Sequence, residues 1–395
     1  MFDNITRREA ELFAKFKTSY EFGSEPGFRF VLDEYNDMFL DKGIIPETPI
    51  QVGLNITSAC NLRCKHCSRI DKLNSDVKES SLFMHDWENI IEKLYDGDVL
   101  QVFITGGEPF MHPDIKSIIK SIKERNMLIG LLTNGLLIDE SIAEFLKTFF
   151  TSKFDYIQLS MDSVYENYNN FRNGGDFNRL IKTIDLLVKK DIRTHVTMVV
   201  TDSNYKQMFD VYRFCIEHNV RYIKFMSLFE HPSTNLKFPR DDVVLKEFCK
   251  ILEHYEKYKP NIKILSEPVA LIYPFAIWLR KKYPEIKFTT GKHVCPAANS
   301  SCEISIDGNV YPCAYLENSK FYAGNILYGE LREIWSKGVN WEKLRDRTIE
   351  RYECINCDEK EKCYGACPAM SYYKYSNFNN GDSRCIILRE SKEVV

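Results

Sequence analysis

Cys60-Asn61-Leu62-Arg63-Cys64-Lys65-His66-Cys67 sets three cysteines at C-x3-C-x2-C spacing, directly after the apolar run of residues 50–56. The run reads as a strand, so the cysteines sit on a tight loop at its end. Thiolate is a soft ligand, and three thiolates on one loop suit three irons of a 4Fe–4S cluster. The fourth iron of such a cluster then has no protein thiolate and is open to a small molecule. Spacing alone also admits a zinc site or free cysteines, so the loop has to be read with the rest of the chain.

Outward from the loop, strand-like apolar runs recur at 50–57, 99–105, 128–133, 156–161, 194–200 and 222–228. Helix-like stretches lie between them at 84–94, 113–125, 139–149, 177–190 and 205–218. Strand–helix alternation means parallel strands joined by crossovers of one hand. Six such units predict an α/β fold, a partial (β/α)6 TIM-like barrel open on one side. Chemistry in this architecture gathers at the C-terminal ends of the strands. The cysteine loop follows strand one at that rim. Gly106-Gly107-Glu108-Pro109 follows strand two, Thr133-Asn134-Gly135 ends strand three, and Ser160 and Asp162 stand at the end of strand four.

The cysteine loop, Thr105-Gly106-Gly107-Glu108-Pro109, Thr133-Asn134-Gly135 and Leu159-Ser160-Met161-Asp162 come in an order that resembles the radical S-adenosylmethionine (radical SAM) family over residues 50–230. The resemblance implies that Cys60, Cys64 and Cys67 hold a cluster whose open iron binds the amine and carboxylate of SAM. It implies that Gly106, Gly107 and Glu108 hold the methionine amino group, and that Ser160 contacts SAM from strand four. Arg172, twelve residues after Ser160, falls where relatives place an arginine on the SAM carboxylate. That role suits a planar, permanently charged donor. Asn134 and Asp162 are further candidates for orienting SAM, and His66 falls where relatives carry an aromatic beside the adenine.

Residues 1–49 read as an amphipathic helical extension. Thr6-Arg7-Arg8-Glu9 has capping-box spacing, and Leu12, Phe13 and Phe16 form an apolar stripe. The expected organisation is this extension, a barrel over 50–235, a helical bridge over 236–290 and a cysteine-rich unit over 291–395. Cys215 and Cys249 fall on apolar helix faces and read as core residues.

The other eight cysteines all follow residue 290: Cys295, Cys302, Cys313, Cys354, Cys357, Cys363, Cys367 and Cys385. Asp307-Gly308 is a hairpin signal that returns the chain toward Cys295 and Cys302. Alone, eight such thiols fit two zinc sites; after the barrel motifs they fit two further clusters. The array resembles the SPASM domain in Cys295, Gly308, Cys313, the C-x2-C-x5-C-x3-C run of 354–367 and Cys385. By that resemblance Cys295, Cys302, Cys313 and Cys367 hold one auxiliary cluster, and Cys354, Cys357, Cys363 and Cys385 hold a second. With the loop, this makes three 4Fe–4S clusters.

The resemblance implies an enzyme that cleaves SAM reductively to a 5′-deoxyadenosyl radical and abstracts hydrogen from an unactivated C–H bond. The auxiliary clusters then carry electrons, and the net reaction is an oxidation or a cross-link. The expected substrate is a precursor peptide or protein side chain, with a separate leader-binding protein and a flavodoxin- or ferredoxin-type electron donor as further partners. Two other classes fit part of the pattern: a radical SAM oxidoreductase for a tetrapyrrole or sugar, and a metal-binding scaffold without catalysis. Sulfatase maturases carry an acidic residue directly after the cysteine matching Cys313. Ala314 stands there in this chain, so formylglycine formation is not expected and no catalytic base carries over. Tyr315, Glu230 and Asp202 are the local alternatives.

The 395 residues hold thirteen cysteines and carry a net charge of −3, with lysine and arginine scattered. This pattern disfavours a dedicated nucleic-acid or membrane-surface binder. The start of the chain lacks signal-peptide features, which predicts a cytoplasmic protein. Cysteines in that compartment read as ligands or redox groups rather than structural disulfides.

Overall fold

The computed structural model describes residues 2, 4–18, 45–73, 82–267, 269–288, 290, 293 and 295–390. Residues 19–44 of the expected N-terminal extension lie outside this set. The strands in chain order are β1 (Gln51–Asn55), β2 (Arg63–Cys64), β3 (Gln101–Thr105), β4 (Leu128–Thr133), β5 (Tyr156–Ser160), β6 (Arg172–Asn173), β7 (Thr194–Val200), β8 (Tyr222–Ser227), β9 (Lys263–Glu267), β10 (Ser301–Ile304), β11 (Asn309–Tyr311) and β12 (Gly324–Asn325).

One sheet runs in the order β12-β11-β10-β1-β3-β4-β5-β7-β8-β9, and β2 pairs separately with β6. From β10 across to β9 every pairing is parallel. The six expected strands are the contiguous centre of this sheet. The structure differs at both ends. β9 lies inside the segment read as a helical bridge, and β10 of the cysteine-rich unit pairs directly with β1. The cysteine-rich unit therefore continues the barrel sheet, and β11 and β12 add an antiparallel extension to it.

Helices fill the crossovers: α1 (Arg7–Thr18) precedes the sheet, and α2 (Met84–Asp96), α3 (Ile115–Glu124), α4 (Glu140–Phe149), α5 (Glu166–Phe171), α6 (Phe177–Lys189), α7 (Met208–Glu217), α8 (Asp241–Tyr258) and α9 (Val269–Lys282) follow. Caps set their starts. Asp139 accepts from the Ile142 amide at 2.8 Å, and Asp176 from the Arg179 amide at 3.0 Å, each using an otherwise orphan donor. The reciprocal box at α1 also forms, with Thr6 N donating to Glu9 at 2.7 Å and Glu9 N donating to Thr6 Oγ1 at 3.3 Å. α1 packs on the outside of the barrel, where Phe13 meets Phe248 of α8 and Phe275 of α9.

Alternation along β1 sends Val52 and Leu54 into the helix-covered core, where both are fully buried. Gly53 and Asn55 face the other side. Cys215 and Cys249 are buried in the helix layer, as expected of core thiols. The N-terminal end of the sheet is plugged. His195 stacks on Tyr156 at 4.3 Å and lies 4.5 Å from Tyr222, and Arg193 covers Tyr222. Burial keeps His195 neutral by lowering its pKa. Among the described residues no helix is long and apolar enough to cross a membrane.

Candidate active site at the C-terminal rim

The cysteine loop is held from three sides. Cys64 pairs with Arg172 and Arg63 with Asn173 in the β2–β6 ladder, and Lys65 N donates to Phe171 O at 3.1 Å. Asn61 Oδ1 accepts from Asn134 Nδ2 at 2.8 Å. Thr234 Oγ1, on the loop after β8, donates to Lys65 O at 2.9 Å. Cys60, Cys64 and Cys67 are all half-buried. Burial raises all three, Cys64 to about 11, so each sheds its proton only on meeting a cation.

Gly106 and Gly107 serve this loop directly. Gly106 has φ +154°, and a Cβ there would come 2.6 Å from Thr57 O. A Cβ on Gly107 would overlap the Ala59 carbonyl. The close approach lets Gly107 N donate to Thr57 O at 2.6 Å and Glu108 N to Ala59 O at 2.8 Å. The Glu108 carboxylate is buried and accepts from Thr133 Oγ1 (2.6 Å), Asn134 N (2.8 Å) and Phe110 N (3.2 Å). Glu108 thus ties the ends of β3 and β4 together, and Asn134 passes that tie to Asn61. Burial raises the Glu108 pKa, and these three hydrogen bonds oppose the rise.

Arg172 and Asp162 form a buried pair, Nη2 to Oδ2, at 2.6 Å. Arg172 Nη1 also reaches Cys64 Sγ at 3.6 Å. Burial works to lower the Arg172 pKa; Asp162, then Cys64 and Tyr168, outweigh it and keep the guanidinium charged. Asp162 Oδ1 accepts from Val199 N at 2.8 Å, which locks the pair to β7. His66 lies 3.6 Å from Asp162 and stacks on Phe171 with ring centroids 5.1 Å apart. Burial lowers its pKa and favours a neutral ring. Ser160 ends β5 beside Thr197 of β7.

Around this group the buried Asn55 Oδ1, Ser163 Oγ, Tyr168 OH, Arg172 Nε and Thr197 Oγ1 have no hydrogen-bond partner among the described residues. Buried polar atoms are rarely left so, and a concentration of them beside three thiols fits a polar, zwitterionic ligand such as the methionyl part of SAM.

Cys354, Cys357, Cys363 and Cys385 line one largely apolar cavity of about 370 Å³. Burial raises all four thiols, and neighbouring cysteines add to the rise at Cys354, Cys363 and Cys385. A second group forms where Cys313 is raised by burial and then by Cys295 and Cys367. Among the described residues no three His, Cys, Asp or Glu side chains gather as tightly as a single metal ion requires. A cluster instead spreads its thiolates over several irons. Cys302 stands apart: it is buried in the hydrophobic core on β10.

Sequence reasoning did not single out Glu303. It pairs with Arg69 at 3.2 Å, and Arg69 also reaches Glu317 at 2.7 Å, joining the cysteine loop to the β10–β11 unit. Burial pushes the Glu303 pKa up to about 7, with Arg69 opposing. An acidic residue alternating with buried Cys302 and Ile304 was the available signal. Glu230 accepts from Phe238 N and Arg389, Tyr315 stacks on Phe229 at 3.7 Å, and Asp202 is exposed, its amide bonded to Lys237 O.

A family model for the radical SAM superfamily matches residues 54–215, and one for an iron–sulfur cluster-binding domain, SPASM, matches 295–359. The chain belongs to the radical SAM superfamily and carries a SPASM domain. This radical SAM protein is 26% identical over 348 residues to the AdoMet-dependent heme synthase of Methanosarcina barkeri, covering 86% of this chain and 96% of that one. It is 24% identical to the mycofactocin maturase MftC of Mycobacterium ulcerans, over 86% of this chain and 88% of that one. The crystal structure of Streptococcus suis SuiB bound to precursor peptide SuiA superposes with a TM-score of 0.72 at 21% identity, over 93% of this chain and 83% of that one. That likeness shows the fold. A radical SAM protein with this rim is a SAM-dependent enzyme.

Proposed function

We propose that this radical SAM enzyme modifies a side chain of a ribosomally made precursor peptide, by oxidation or by forming a cross-link. Bound together at the loop, a 4Fe–4S cluster and SAM supply a 5′-deoxyadenosyl radical that takes hydrogen from an unactivated C–H bond. The carrying observation is the convergence of Cys60, Cys64 and Cys67 with the Arg172–Asp162 pair and the unpartnered polar atoms at one rim.

In this reading the three cysteines hold the loop cluster, and Arg172 faces the SAM carboxylate while Asp162 keeps it charged and oriented. His66 and Phe171 offer a flat surface to the adenine, and Ser160 and Thr197 offer hydroxyls beside it. Gly106, Gly107, Glu108 and Asn134 act one step back, by setting the loop. The aromatic plug at the far end of the sheet keeps water from entering behind the reactants.

Cys295, Cys302, Cys313 and Cys367 would hold one auxiliary cluster and Cys354, Cys357, Cys363 and Cys385 a second, three clusters in all, and these would supply an acceptor for the electron that an oxidised product leaves behind. The peptide substrate is supported by the maturase relative and by SuiB, whose structure holds its precursor peptide. A separate leader-binding protein and a flavodoxin- or ferredoxin-type donor complete the system, in the cytoplasm.

Cys357→Ala tests the electron role. It removes one wall of the 370 Å³ cavity without touching the rim. The expected result is 5′-deoxyadenosine formation near the wild-type rate with modified peptide, read by mass, reduced at least about tenfold. Full product yield from the folded variant contradicts the relay.

A further inference from the structure

We propose that Glu303 is a specificity-determining residue on the wall of the barrel lumen, where its carboxylate receives a cationic side chain of the peptide. This inference rests on the peptide-modifying reading above and names the kind of residue that the rim accepts.

The register puts Glu303 inside the barrel. It pairs with Gly53 across β10 and β1, and its carboxylate lies in the space that a Cβ on Gly53 would fill. Gly53 shares its face with Asn55, two residues nearer the rim, and pairs with Phe103 on its other side. That face is a cavity wall. Phe103, Gln158 and Val199 on it are half-buried, whereas Ile104, Leu159 and Met198, next to them on the helix side, are fully buried. The stack on His195 closes the cavity below. The SAM loop lies at its mouth, because Arg69, two residues past Cys67, is the group that touches Glu303.

Buried acids that serve the fold are saturated. Asp155 is held by Lys123 at 2.7 and 2.9 Å and by the amides of Ile129 and Ser152. Asp382 accepts from Arg384 through both oxygens and from the Cys367 amide. Glu303 accepts one hydrogen bond among the described residues, from Arg69 Nη2 at 3.2 Å. Even that cation is shared, since Arg69 Nη1 makes the shorter contact, 2.7 Å, to Glu317. Lys72 supports Glu317 at 3.0 Å from the half-exposed side. Among the buried groups, one cation therefore faces two carboxylates. A buried carboxylate in that state is costly, and a cation brought by a ligand relieves the cost. The apolar stem of a lysine or arginine would lie along Phe103 with its charged head at Glu303. A neutral side chain of the same length gains no such contact.

The test uses the full-length protein reconstituted anaerobically with iron and sulfide, with SAM present. Three probes are titrated by calorimetry: the Nα-acetyl methylamides of lysine, arginine and norleucine. A cationic probe is expected to bind at least about tenfold tighter than norleucine, and the lysine and arginine arms tell which head group fits. Glu303→Gln, which keeps an acceptor for Arg69, is expected to bring that ratio within about twofold of one. A second measurement separates recognition from structure. Urea unfolding of the iron-free Glu303→Gln protein is expected at or above the wild-type midpoint, because Arg69 keeps Glu317 and no cation is stranded. Equal binding of the three probes by the wild type overturns the proposal, as does no binding at all. So does a Glu303→Gln midpoint below wild type, which marks a structural ion pair. A protein that keeps the charge preference yet forms no 5′-deoxyadenosine overturns the radical reading and leaves the role of Glu303 standing.

Discussion

Asp162→Ala is expected to cost about 3–5 kcal/mol of folding stability, because it strands a buried cation. Arg172 is 6% exposed and Asp162 fully buried, so water does not replace the lost carboxylate. The guanidinium would then face a Cys64 thiol 3.6 Å away, and Val199 N would lose its 2.8 Å acceptor. A buried donor left unmade costs about 1–3 kcal/mol by itself. Urea unfolding of the protein without reconstituted iron reads the effect apart from any cluster. A double variant, Asp162→Leu with Arg172→Met, removes both charges and is expected to regain most of the loss while showing no SAM-dependent stabilisation. An Asp162→Ala midpoint equal to wild type would mean that the pair is solvated and does not organise the rim.

Gly107→Ala is expected to lower SAM cleavage about a hundredfold, the order of loss that a displacement of about 1 Å at reacting groups produces. The added methyl group has nowhere to go. It meets the backbone carbonyl of Ala59, next to Cys60, rather than the end of a flexible side chain. Relief requires the first cysteine to move or the 2.8 Å bond from Glu108 N to Ala59 O to break. The accompanying stability loss, about 1–3 kcal/mol for an overpacked site, is of the same order as the catalytic loss. Measuring 5′-deoxyadenosine beside iron content separates a displaced cluster from a missing one. Cleavage within a few-fold of wild type would show that the two loops do not depend on each other's spacing.

The centre of the fold was legible because each of the six strands carries its own apolar run, with helix stripes between them and side-chain caps at Asp139 and Asp176. Its two ends were not. β9 is five residues long and lies between two strong helices, so its strand character is weak locally. β10 pairs with β1 across some 250 residues of chain, and a parallel partner that distant leaves no local trace. The site divides the same way. Motif order at the strand ends pointed to the rim, since position along a strand sets which end a loop occupies. What each side chain does there needed the third dimension. Gly106, Gly107 and Glu108 read as a ligand cradle, and the structure adds their close contacts with 57–59 and 133–134. Cys302 read as the eighth ligand by count, and only the register against Val52 and Gly53 assigns its face. Glu303 and Arg69 meet across 234 residues, so neither could name the other in the sequence.

The most direct test of the central claim is SAM cleavage by the anaerobically reconstituted protein, assayed as 5′-deoxyadenosine after addition of SAM and dithionite. The account predicts iron-dependent cleavage in the wild-type chain and background levels in a Cys60/Cys64/Cys67→Ala variant that still folds. An iron-loaded wild-type protein that leaves SAM intact, or equal cleavage by the triple variant, would contradict the assignment of this loop as the catalytic centre.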